Sequence, residues 1–137
     1  MNLKQGLKLL RKKEREESYP KLVKRLDALV KEEVKRRVGY KCQKCGKQYK
    51  KGDKNLTWSH YWSIARKGTR WDFDNIDALC WFWCHAKWEH EKQGEYKDYM
   101  LKKLGKKKYD LLEVKAHAIT KFSRQDLKIL IDLYGNK

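Results

Sequence analysis

The sequence predicts an α+β protein, in which a short β-hairpin leads into a helix and further helices lie before and after it. Three observations carry that prediction. Apolar residues recur at helical spacing up to Gly39 and again after His85. Over 40–84 the helical period disappears, and Gly46, Gly52 and Gly68 separate β-type runs such as Leu56-Thr57-Trp58-Ser59-His60-Tyr61-Trp62. Four cysteines, in two pairs, bracket that non-helical stretch.

Taken in order, the only proline, Pro20, divides two helical stretches. The first, over 3–17, is mostly charged. Leu3, Leu7, Leu9 and Leu10 are its only large apolar residues, so it reads as a marginal, fraying arm. The second opens at Ser18-Tyr19-Pro20, where proline suits a first helical turn, and carries Leu22, Leu26, Leu29, Val30 and Val34 on one face before Gly39 stops it. The hairpin follows. A helix from His85 then places Trp88, Tyr96, Met100 and Leu104 on one side and ends at Gly105. Two shorter helices complete the chain. One covers 108–120; the other starts from the capping pattern Ser123-Arg124-Gln125-Asp126 and carries Leu127, Leu130, Ile131 and Tyr134 to Gly135. The expected division is a basic helical arm over 1–39, a core over 40–104 and a helical extension over 105–137.

The chain has 137 residues, with 35 Lys and Arg against 18 Asp and Glu, a net charge of +17. Six Trp, eight Tyr and three Phe supply enough apolar bulk for a real core although 39% of residues are charged, which excludes a disordered basic tail. The longest uncharged apolar run, 78–84, is too short to span a bilayer, and the first residues form no signal-peptide core. A soluble, cytoplasmic protein without a membrane partner is expected. So large a positive surplus points to a polyanion, nucleic acid ahead of anionic lipid or mere solubility. Basic residues cluster over 8–13, 35–41, 47–54, 66–70 and 102–108, where contacts with phosphates would confer affinity but carry no sequence information. Most of Trp58, Trp62, Trp71, Trp81, Trp83 and Trp88 are expected to fill a small core, leaving one or two to face nucleic acid.

Cys42-x-x-Cys45 and Cys80-x-x-x-Cys84 have the spacing of one tetrahedral Cys₄ zinc site, with Gly46 permitting the turn after the first pair. Two disulfides or buried free thiols are the alternatives, and disulfides suit an intracellular chain poorly. The gap in the second pair is one residue longer than usual. A closed Cys₄ site offers no open position for a substrate, so its role would be architectural.

Between and after these pairs stand His60, Asn75 and His85, in that order. This constellation resembles the HNH endonucleases of the ββα-metal, or His-Me finger, class. More narrowly, Cys42-x-x-Cys45-Gly46, Ser59-His60-Tyr61, Arg70-Trp71-Asp72-x-x-Asn75, Leu79-Cys80, Cys84-His85, Tyr96 and Leu104-Gly105 resemble the phage NinG/Rap recombination nucleases over 22–137. The resemblance implies a zinc-stapled ββα-metal core and a metal-dependent DNA endonuclease acting on branched recombination intermediates, D-loops or Holliday junctions, in the host cytoplasm if the chain is phage-encoded. It makes His60 the general base, Asn75 the residue that orients it or holds the loop, and His85 a ligand of a catalytic Mg²⁺ or Mn²⁺. Lys50, Lys51, Arg66, Lys67 and Arg70 would grip the DNA backbone. One departure is Ser59, because many HNH enzymes carry a metal-binding Asp or His before the base. Asp72, Asp74, Glu89 or His90 could supply the missing ligand, or His60 itself could coordinate the metal. His117 has no motif around it. Cutting a symmetric junction would call for a homodimer, for which the helix over 19–38 is a candidate face, although its apolar stripe could equally pack on the zinc core. The rival functions are a non-catalytic zinc-containing nucleic-acid-binding protein and an RNA-binding or ribosome-associated protein.

Overall fold

The computed structural model describes residues 1–135, apart from the side chains of 13–16. The end of the expected 105–137 extension, Asn136 and Lys137, and the Lys13 side chain of the first basic cluster lie outside the described residues. The architecture is α+β. Helices α1 (Leu3–Glu16) and α2 (Tyr19–Arg37) precede strand β1 (Leu56–His60), short helix α3 (Lys67–Arg70) and strand β2 (Ile76–Cys80). A wide-turned segment and helices α4 (Gln93–Leu104), α5 (Lys106–His117) and α6 (Arg124–Gly135) follow.

Two compact units result, one of Met1–Leu29 with Phe122–Lys137 and one of Val30–Lys121. In the first, Asn2 caps α1 with a reciprocal capping box, its Oδ1 accepting from Gln5 N at 2.9 Å. The arm expected to fray is thus a capped helix, although Leu3, Leu7, Leu9 and Leu10 stay exposed. The capping signal at Ser123 is realised: Asp126 N donates to Ser123 Oγ at 3.0 Å and Ser123 N to Asp126 Oδ2 at 2.8 Å. Among the described residues of this unit, Leu22, Leu26, Leu127 and Ile131 are buried.

In the second unit β1 and β2 pair antiparallel, with His60 opposite Ile76 and Leu56 opposite Cys80. The hairpin's long connection contains α3, whose Gly68 sits so close to α5 that a Cβ there would lie 2.4 Å from the Lys115 carbonyl oxygen. Leu56, Ile76, Ala78, Leu79, Trp88, Tyr96, Met100, Tyr109 and Leu112 are among its buried apolar residues.

Two expectations need correction. The helix read as starting at His85 begins directly after β2 as two π-type turns, Trp81–His85 and Lys87–Glu91, in which Lys92 N donates to Lys87 O at 2.8 Å; regular helix resumes only with α4. The helix read over 108–120 is α5, starting and ending earlier. Trp71 and Trp88 are buried and Trp58 and Trp62 half-buried, but Trp81 and Trp83 are 57% and 66% exposed. A wide turn brings Cys80 and Cys84 to one point and leaves their aromatic spacer outside. Leu22, Leu26, Val30 and Val34 of α2 are buried within the single chain. Among the described residues no helix is long and apolar enough to cross a membrane.

Candidate functional site

The four cysteine sulfurs all lie within 4.8 Å of one another, with Cys45 and Cys80 Sγ 3.4 Å apart. Tetrahedral coordination with Zn–S bonds of about 2.3 Å separates sulfurs by about 3.8 Å, so the cluster is compatible with a structural zinc site. All four are free thiols, which sets the disulfide alternative aside. Gly46 has φ +78°, the left-handed conformation that the knuckle turn needs and that glycine adopts without penalty. Burial pushes the Cys42 thiol up, but the backbone N–H groups of Cys45, Cys80 and Lys44 outweigh it and bring it down to about 7. Burial raises Cys80 and Cys84, and Tyr49 Oη donates to Cys80 Sγ at 3.0 Å. Such outer donors orient a thiolate toward its metal.

Next to this cluster, β1 and the π-type segment wall a cleft of about 630 Å³. His60, His85 and Glu89 line it together with Trp58, Trp81 and Trp88. His60 Nε2 lies 2.8 Å from the Arg70 carbonyl oxygen. A carbonyl only accepts, so Nε2 carries the proton and the basic lone pair belongs to Nδ1. Trp58 packs edge-on against the imidazole at 4.5 Å between ring centroids. His85 Nε2 is 3.4 Å from Glu89 Oε2, which puts an imidazole and a carboxylate on one wall.

Asn75 is wholly buried and latches the hairpin connection. Its Oδ1 accepts from Trp62 N at 2.8 Å, and its Nδ2 donates to Trp62 O at 3.0 Å and to Thr69 O at 3.1 Å. Because Tyr61 N also donates to Asn75 O at 2.9 Å, the chain leaving His60 is tied to the start of β2 from both sides.

A family model described as Bacteriophage Lambda NinG protein matches residues 2–137. The chain belongs to the NinG family. No curated protein and no solved structure matches it.

Within this NinG chain, the residues named from sequence separate into groups. His60 and His85 meet at the cleft and Asn75 supports the loop beneath it, whereas Asp72, Asp74 and His90 are not among the cleft's lining residues. Asp72 Oδ1 caps the turn before β2 by accepting from Asp74 N at 3.0 Å, and its Oδ2 accepts from Lys115 Nζ at 3.2 Å. His90 is largely exposed, 3.7 Å from Glu89. Arg66 donates to Ala116 O at 3.2 Å while lying over Trp62, and Arg70 Nη1 donates to Ile64 O at 3.3 Å; Lys50, Lys51 and Lys67 are exposed. His117 is exposed, with Nδ1 donating to Glu113 O at 2.9 Å and its ring edge-on to Trp62.

Sequence reasoning missed the group that explains Ser59. Ser59 is buried and accepts from Tyr96 Oη at 3.1 Å; across the hairpin from it, Asp77, with no exposed surface, accepts from Tyr99 Oη at 2.9 Å and Lys103 Nζ at 2.8 Å. Burial, then the Asp77 charge, raises both Tyr96 and Tyr99 well above the usual phenol. The available signal was spacing: Tyr96, Tyr99 and Lys103 fall on one face of a helix.

Proposed function

We propose that the protein is a metal-dependent DNA endonuclease that hydrolyses phosphodiester bonds of branched recombination intermediates. One observation carries the reading: His60 and the His85–Glu89 pair share one open cleft beside the cysteine cluster. His60 acts as general base through Nδ1, taking a proton from the attacking water. Its Nε2–H contact with Arg70 O holds the ring and stabilises the imidazolium that forms. Asn75 positions His60 by fixing the loop that follows it. His85 and Glu89 are the residues that would hold a divalent cation; the carboxylate suits Mg²⁺ or Mn²⁺, and the imidazole also suits Zn²⁺ or Ni²⁺. Bound there, Mg²⁺ or Mn²⁺ supplies charge stabilisation to the scissile phosphate and leaving oxygen. The cysteine-bound zinc would supply folding energy alone. The net charge of +17 and the basic residues Lys50, Lys51, Arg66, Lys67 and Arg70 support DNA as the polyanion. Membership of a phage family associated with recombination supports branched DNA as the substrate and the host cytoplasm as the place.

The test is cleavage of Holliday junctions, D-loops and linear duplex with Mg²⁺, Mn²⁺ or neither, by wild type and His60→Ala. Metal-dependent cutting of branched DNA that falls about 100-fold or more in the variant is expected; intact binding without cutting on any DNA would refute the reading. A non-catalytic zinc-containing nucleic-acid-binding protein is the second reading. It is favoured by Ser59 being committed to Tyr96 and by the cysteines being the only group of three or more metal-ligating residues that converges among the described residues.

A further inference from the structure

We infer that Trp81, Phe82 and Trp83 form a stacking platform for unpaired bases of the DNA, so that a branch with a single-stranded segment is seated next to the His60 cleft; this rests on the nuclease reading for its choice of nucleic acid. The three consecutive aromatics are 57%, 74% and 66% exposed, a concentration of apolar surface that the core does not use. Trp81 and Phe82 are already stacked, with ring centroids 6.4 Å apart and planes inclined by 21°. The tripeptide is clamped at both ends by Cys80 and Cys84, both buried, so little backbone entropy remains to be lost when a base docks. Trp81 lines the cleft that holds His60 and His85, while Phe82 and Trp83 line an adjoining groove of about 380 Å³ with Lys47. No carboxylate lines that groove, and Lys87 Nζ lies 5.6 Å from the centre of the Trp83 ring.

In that groove, aromatic faces with a cation beside them and no acid match a strand that presents base faces and phosphates together. Paired bases are stacked within their own helix and cannot offer those faces; unpaired bases can. The platform therefore selects forks, flaps and displaced strands over continuous duplex, without reading sequence.

The test uses the full-length, zinc-loaded protein in a His60→Ala background, so that binding is measured without cutting. The probes are a forked DNA with 2-aminopurine in its single-stranded arm and a fully paired duplex of equal length. Wild-type platform residues should favour the fork and quench the 2-aminopurine. Phe82→Leu and Trp83→Ala should weaken fork binding about 5- to 150-fold, the equivalent of about 1–3 kcal/mol per stacked base. Duplex affinity should stay level, and Phe82→Tyr should restore quenching. Circular dichroism checks that each variant is folded. Equal fork binding by all variants, equal losses on fork and duplex, or a change of oligomeric state on mutation would each overturn the platform. A protein with His60 intact that binds the fork in this way but cuts nothing would refute the nuclease reading and support the platform; failure to bind any DNA would refute both.

Discussion

Asn75 makes three hydrogen bonds with no surface exposed, so its side chain is a structural latch as well as a functional candidate. Asn75→Ala would strand a buried N–H and two carbonyls, costing about 2–4 kcal/mol. A matching fall in the urea midpoint, with cleavage falling further than stability explains, is the expected outcome. Asp77 is a different kind of residue, a buried carboxylate neutralised by Lys103 at 2.8 Å and hydrogen-bonded by Tyr99. Beside it, Tyr96 and Tyr99, like Tyr61 elsewhere, have folded-state values raised by burial and so contribute to the alkaline behaviour. A group whose value rises on folding contributes stability that is complete below its unfolded value, about 10 for tyrosine, and declines as pH rises past it. Stability measured by urea unfolding should hold level to about pH 9 and fall above about pH 10, less steeply in Tyr99→Phe.

At the scale of elements, the packing of α3 on α5 depends on Gly68. A Cβ there would sit 2.4 Å from the Lys115 backbone oxygen, so Gly68→Ala should cost about 1–3 kcal/mol by thermal melting. At Gly94, within α4, a Cβ would meet nothing within 4 Å, so Gly94→Ala should instead gain up to about 1 kcal/mol. In the sequence Gly68 reads as punctuation between β-type runs. Its actual reason, the close approach of a helix far along the chain, has no local signature. The π-type turns are hidden for a similar cause: the spacing Cys80-x-x-x-Cys84 suggests a shared metal, but how the backbone brings both thiols to one point depends on where Cys42 and Cys45 already sit. Removing a zinc held by the four cysteines should be felt here first. Cys42→Ser, or a zinc chelator applied to wild type, should melt the Val30–Lys121 unit, with release of about one zinc per chain measured by a colorimetric indicator.

For the whole molecule, a net charge of +17 would make the proposed association with DNA strongly salt-dependent. Affinity for any DNA should fall by about 10³-fold or more between 50 and 200 mM salt if six or more phosphates are neutralised. Neutralising Lys50 and Lys51 together should flatten that slope by about 2 without altering preference among branched substrates. On the proposed function, charge would attract DNA of any form, and discrimination would fall to the cleft and to the aromatics beside it.

The α+β class, the helices bearing Leu26 and Leu127, the Cys₄ grouping and the order His60, Asn75, His85 were all legible in the sequence. They depend on periodicity, on ligand type and on a motif whose parts keep their order along the chain. Only the tertiary structure decided that Ser59 answers to Tyr96, that Asp77 is neutralised within the fold, that Glu89 and not Asp72 or Asp74 stands with His85, and that Trp81 and Trp83 face outward. Each of these depends on which distant residue occupies the adjoining space, and a linear pattern carries composition and spacing but not that neighbour.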